Sequence, residues 1–253
     1  MARTRRARKP IIRFGKRRAK KDVRNLMLAS VLKAPPAPPA EYDFDVQHHG
    51  IPTPMFANDT LGDCVIAGRA HQTLRFEEAE QKKLIRITDA EVRREYFKET
   101  GGPDSGLVVL DSLNLWRHRG WRVGPKTYKI KAFAQITPTR RMEVKRAIFL
   151  DIGVGLGFAL PNSAITQFHA GKSWDVTTGP GSAPNPENGH YVHAPGYTKR
   201  GPVCVTWGRK QQMTWAFLAK YCDEAYAIID SINTAKAKRG LNGKKIDAFL
   251  AAL

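Results

Sequence analysis

The stretch Asn58-Asp59-Thr60-Leu61-Gly62-Asp63-Cys64-Val65-Ile66-Ala67 delivers a single cysteine behind a Gly-Asp turn. The residues that follow read as a helix from about Asp63 to about Gln81. A thiol in the first turn of a helix feels unpaired backbone N–H groups and the positive end of the macrodipole. Both favour the thiolate, the nucleophilic form of cysteine. The plain alternative is a small buried hydrophobe. Histidines are the natural partners to search for. His190 begins an apolar run, Asn188-Gly189-His190-Tyr191-Val192-His193-Ala194-Pro195-Gly196-Tyr197, and Trp207-Gly208 follows ten residues after Tyr197. On a strand, His193 points to the face opposite His190. His71 lies two helical turns beyond Cys64, too far to act on it. His118 reads as helix-terminal, and His169 falls in a long loop. His48-His49 has no third ligand at useful spacing, so no metal site is expected. Gly153-Val154-Gly155-Leu156-Gly157 lacks the GxGxxG pattern and any GK[ST] lysine, which argues against a phosphate loop.

Cys64, His190, the Gly-Tyr pair and Trp207-Gly208, with Asn58 six residues before the cysteine, together resemble the papain-like cysteine peptidases. That family has a Gln six residues before its nucleophile, a Gly-x-Cys approach to a long helix, a His-x-Val-x-x-x-Gly-Tyr strand and an Asn-Ser-Trp-Gly element. The resemblance covers about residues 50–230. It implies Cys64 as nucleophile and His190 as base. The Cys64 N–H and the Asn58 amide would form an oxyanion hole, and Trp207 would shield the site. The chain departs from the pattern at Asn58, at Val65, and at Asp63, whose charge would oppose thiolate formation. Val205 stands where the family has the asparagine that orients the histidine. Another side chain orients His190, or the site works as a Cys–His dyad, or it is degenerate.

The implied fold is α+β, two-lobed and papain-like. A helical lobe over about 58–120 carries the cysteine, and a strand-rich lobe over about 121–253 carries the histidine. The local signals agree with that division. Thr88-Asp89-Ala90-Glu91 is a capping box opening a helix over 89–99. A helix fits 106–119, and alternation over 128–136 marks a strand. Thr137-Pro138 reads as the start of a helix through about Phe149. Strands follow at 152–160, 190–197, 203–207 and 224–230, with helices at 214–222 and from 243. Residues 161–188 read as a long polar loop in which Trp174, together with Tyr191, is a candidate for lining substrate subsites.

Charge separates the chain into a domain and an arm. Residues 1–33 carry thirteen Lys/Arg and one acid, whereas the other 220 residues are only mildly basic within a total of +19. Such an arm is expected to be disordered or partner-bound, contacting DNA or RNA through residues 1–25 by counterion release. Ala34–Ala40 is a stiff Pro-rich linker, and 41–253 forms the domain. No run is apolar enough for a membrane span, and no clear signal peptide precedes the domain. Cys64, Cys204 and Cys222 make neither a disulfide framework nor a zinc site, which fits a reducing compartment or a virion. No cofactor is expected. Two functions follow: a thiol hydrolase acting on a peptide or protein, or a degenerate binding protein tethered by its arm to nucleic acid in a large assembly.

Overall fold

The computed structural model describes residues 11–34, 37–232 and 234–253. The first ten residues of the arm and two linker prolines lie outside them. From residue 11 onward the arm is packed on the domain, unlike the separate arm expected. The helix α1 (Leu28–Val31) puts Leu28 and Val31 into the main core beside Leu26. Gln135 N–H donates to Leu26 O at 2.7 Å, and Asn242 N–H donates to Val31 O at 2.8 Å.

The helical lobe follows β1 (Tyr42–Asp43) and α2 (Phe44–Gln47). Its long helix α3 (Cys64–Gln81) has no apolar stripe, yet Arg69, His71, Gln72, Thr73, Arg75 and Glu77 are buried. Ion pairs make this possible for Arg69 and Arg75, because a buried charge must be partnered. Arg69 reaches Glu99 at 2.7 Å on α4 (Asp89–Thr100), and bonds Ser112 on α5 (Val109–His118). Arg75 grips Asp45 of α2 with two hydrogen bonds. Thr88 forms the expected capping box with Glu91 at the start of α4. Around these ion pairs Ile66, Leu74, Tyr96, Leu113, Trp116 and Trp121 close an apolar core.

A short hairpin, β2 (Trp121–Val123) and β3 (Lys126–Tyr128), leads to the second lobe. The seven-stranded antiparallel sheet runs β4-β9-β5-β6-β7-β8, with β1 paired on β6. Its strands are β4 (Ala132–Gln135), β5 (Gly153–Ala159), β6 (Gly189–Tyr197), β7 (Pro202–Thr206), β8 (Arg209–Gln212) and β9 (Cys222–Ile229). Between them lie α6 (Arg141–Phe149), which begins later than Thr137-Pro138 suggested, and α8 (Trp215–Tyr221), capped by Thr214. The segment read as one long loop contains α7 (Asn162–His169). The helices α9 (Ala235–Gly240) and α10 (Gly243–Ala251) close the chain.

β6 is buried along its whole length, because α3 covers one face and the sheet core the other. Close approach depends on glycine. A Cβ on Gly68 would stand 2.7 Å from the Tyr191 ring, and one on Gly155 would stand 1.8 Å from the Tyr191 hydroxyl. The glycine-rich β5 is thus a packing surface. Among the described residues, no helix is long and apolar enough to cross a membrane.

Candidate active site

Cys64 is the first residue of α3, where helix geometry supplies no acceptor for its N–H. Its thiol is buried. Burial pushes the thiol up to about 12, against the opposing pull of the Tyr191 and Gly15 backbone groups and the Lys16 ammonium. Asp63 does not cap the helix with its side chain. Both of its oxygens are buried without a hydrogen-bond partner among the described residues, and burial pushes the carboxyl up to about 8. The like-charge opposition expected from Asp63 is therefore muted at neutral pH, where the group is largely protonated.

Asn58 lies in a tight turn entered through two left-handed residues, Phe56 (φ 55°) and Ala57 (φ 68°). Such backbone strain concentrates at functional sites. The Asn58 amide donates to Leu61 O at 3.1 Å and is 2% exposed. Its side chain thus braces the turn before Cys64 and also lies beside the Asp63 carboxyl, whose pKa it helps to hold down.

His190 and Trp207 are brought together as expected. Their rings stack at 4.1 Å between centroids with a 16° tilt. Trp207 itself sits at φ 44°, held edge-on by Phe168 and Trp174. The partner of His190 is Thr206, whose Oγ1 lies 2.6 Å from Nε2. Strand register explains why the orienting group is here and not at Val205. Val205 stands directly opposite His193 on β6, so those two side chains share a face. Thr206, one residue on, shares the opposite face with His190. His190 Nδ1 is buried with no hydrogen-bond partner among the described residues, and burial pulls the imidazole down to about 3. His193 belongs to the other face, with Nδ1 against Val154 O and its ring near Arg75. His71 stacks on Phe56. Neither reaches the site.

The four expected residues converge on one feature that sequence reasoning missed, a strap formed by Arg13–Arg17. Arg13 N–H donates to Asn58 O at 2.9 Å, and Trp207 Nε1–H donates to Arg13 O at 3.2 Å. Phe14 meets His190 and Trp207 edge-on. Gly15 and Lys16 N–H both point at Gly189 O at 3.0 Å, while Leu107 N–H donates to Gly15 O and Arg17 N–H to Leu107 O. The strap fits because its neighbours are glycines. A Cβ on Gly15 would lie 1.6 Å from Gly62 O, one on Gly106 2.4 Å from Gly15 O, and one on Gly189 1.9 Å from Lys16 O. Asp104 ties the two rims together, accepting from Gly62 N–H at 3.0 Å and from Tyr96 Oη–H, which itself accepts from Gly106 N–H. The glycine spacing was visible in the sequence, but its purpose needs the strap.

Trp174 and Tyr191 do not line the cleft. Trp174 is fully buried with Nε1–H on Ala164 O, and Tyr191 is wedged between α3 and β5. Among the described residues, no cluster of His, Cys, Asp or Glu could hold a metal ion.

No family model and no curated protein matches the sequence. Solved structures do match. Xylellain, a cysteine protease from Xylella fastidiosa, superposes with a TM-score of 0.66 at 16% identity, over 90% of this chain and 100% of that one. The Carica candamarcensis cysteine protease CMS1MS2 aligns at a TM-score of 0.54 and 14% identity, over 76% of this chain and 99% of its own. The ragweed allergen Amb a 11, a cysteine protease in its proform, aligns at 0.55 and 13%, covering 76% of this chain and 67% of that one. At these identities the likeness is one of architecture. Two lobes, a cysteine opening the long helix and a histidine on the central strand of an antiparallel sheet give this chain the papain-like fold.

Proposed function

We propose that the chain is a thiol hydrolase acting on peptide bonds, with Cys64 as nucleophile and His190 as base. The observation that carries this reading is the convergence of Asn58, Cys64, His190 and Trp207 around one extended backbone segment, itself a peptide. With Nε2 held by Thr206, Nδ1 is the nitrogen left to accept the thiol proton. The Cys64 sulfur then attacks the carbonyl, and the tetrahedral oxyanion meets the Cys64 N–H and the Asn58 amide. Collapse expels the amine, which takes the proton from His190, and leaves an acyl-enzyme. Water, deprotonated by His190, releases the acid and restores the thiol. Loss of one oxyanion donor typically costs about 3 kcal/mol of transition-state stabilisation.

In the described state the strap fills the cleft and dehydrates both groups, so each is neutral. Reactivity requires strap displacement. The test is labelling by an epoxide or vinyl sulfone in the native protein. Cys64 should react at least tenfold faster than Cys204 or Cys222 once the strap is dislodged, and His190→Ala should abolish the difference. Equal rates for all three cysteines would overturn the reading.

A second reading rests on the arm. Arg13, Arg17, Arg18, Lys20, Lys21 and Arg24 are exposed along its described part. They support a contact to DNA or RNA, and a place in a nucleic-acid-containing assembly such as a virion. Binding that weakens steeply with salt, and is lost on neutralising these residues, is the expected outcome. Salt-insensitive binding would sink it.

A further inference from the structure

One side chain of the strap leaves the backbone plane and enters the protein. Lys16 is 5% exposed, an uncommon state for lysine. Its ammonium lies 2.9 Å from Asp223 Oδ2 and 3.3 Å from Glu224 Oε1. The Glu224 side chain is almost fully buried, whereas that of Asp223 is 37% exposed, so one acid forms the base of the pocket and the other its rim.

The channel to these acids is cut through β5. A Cβ on Gly157 would stand 2.5 Å from Lys16 Cε and 2.6 Å from Glu224 Cγ. Glycine inside a strand weakens it and contributes no packing, so its presence often marks a close approach by another group. Here the approaching group is the lysine stem. The pocket adjoins the reactive pair through the same strap. Lys16 N–H reaches Gly189 O, the carbonyl just before His190, and the ammonium is near enough to Cys64 to favour the thiolate.

We propose that Gly157, Asp223 and Glu224 form a substrate subsite that selects a lysine or arginine side chain, and that Lys16 occupies it in place of substrate. This rests on the cleft being the substrate site. Once the strap leaves, two carboxylates are stranded, one of them in a buried position. An apolar side chain entering the channel would leave Glu224 unpaired. A cation restores the pairing, and that difference is the source of selectivity. Burial, with the Asp223 charge beside it, pushes the Glu224 carboxyl up to about 7 against the pull of the Lys16 ammonium, consistent with an acid that depends on a cation for its charge.

The test uses the full chain carrying Cys64→Ala, so that binding is read without chemistry. Gly15→Val unseats the strap through the Gly62 carbonyl, and Gly15→Pro serves as a second variant. The probe is a labelled peptide of residues 12–17, Ile-Arg-Phe-Gly-Xaa-Arg, with lysine or its uncharged isostere norleucine at Xaa, read by fluorescence anisotropy. The lysine peptide should bind at least tenfold tighter at low salt. Asp223→Asn with Glu224→Gln should reduce that ratio below about threefold. Equal binding of the two peptides, or a preference that survives neutralising both acids, overturns the proposal.

The same Gly15 variants with Cys64 retained are then assayed on a fluorogenic peptide library scanned at each position. Lysine or arginine should be preferred at one position, and hydrolysis led by apolar residues at every position would overturn the pocket while keeping the hydrolase. Selective lysine binding with an inert Cys64 would keep the pocket and remove the hydrolase.

Discussion

The decisive side chain in this cleft is Thr206. A hydroxyl at 2.6 Å orients the imidazole much as an amide would, but it is shorter and must come from the neighbouring register position. Thr206→Val keeps the shape and removes the hydrogen bond. The turnover number of the strap-released protein should fall by about 10²-fold or more, because a base held in the wrong tautomer is ineffective, and Thr206→Ser should recover most of it. Asp63 carries the second prediction at this scale. Above about pH 8 it ionises next to Cys64 and opposes the thiolate. Asp63→Asn should leave Cys64 alkylation unchanged at pH 6 and raise it roughly threefold to tenfold at pH 9. A pH–rate profile that is the same for both proteins would show that the neighbouring charge is not felt. Cys64, His190 and Trp207 stand out in the sequence through motifs that resemble the papain-like pattern. Thr206 does not, because only the pairing of His193 with Val205 reveals which face the hydroxyl takes.

Among the elements, α3 and the arm diverge most from what their sequences suggest. α3 is rich in polar residues but is buried, since Arg69 and Arg75 find acids on α4 and α2 that are remote in sequence, and Arg69 also bonds Ser112 on α5. The arm reads as a solvated basic tail because thirteen basic residues stand against a single acid. Leu26, Leu28 and Val31 are nevertheless core. Leu28 is fully buried in the sheet-lobe cluster. Leu28→Ala should cost about 2–5 kcal/mol of folding stability, read by denaturant titration. A value near zero would return the arm to the status of a detached tail. Local signals did succeed where the physics is local, as at the Thr88–Glu91 capping box and the all-buried β6. They failed at α7, whose N-terminus is Pro161 with no side-chain cap to announce it.

At the scale of the whole molecule, buried titratable groups tilt stability toward mild acid. Asp63 and Asp230 are raised to about 8, and Glu224 to about 7, chiefly by burial. The folded state holds these protons while the unfolded chain has released them, so stability falls as pH rises from about 4 to 8. His190 is lowered to about 3, and His71 and His193 well below 6.5, again by burial. The unfolded chain gains protons there first, so stability falls as pH drops below about 6.5. Asp45, lowered by its Arg75 pair, adds to the loss below pH 4. The slopes oppose one another between about 4 and 6.5, and each fully contributing group is worth about 1.4 kcal/mol per pH unit outside that window. The melting temperature should therefore peak near pH 5–6 and decline toward pH 8. A maximum at or above pH 8 would contradict the carboxyl shifts.

The anchoring of the arm at Leu26 and Leu28, ten residues beyond Lys16, makes the strap a tethered ligand of its own cleft. A tether this short gives an effective concentration on the order of millimolar, so a soluble competitor at micromolar levels cannot displace it by mass action. One backbone cut among the exposed residues 17–24 abolishes that advantage while leaving the anchored half in the core. The occupied cleft then becomes an ordinary bimolecular equilibrium that dilution empties. On the proposed reading, silence or activity is a matter of chain connectivity, decided by one peptide bond outside the site.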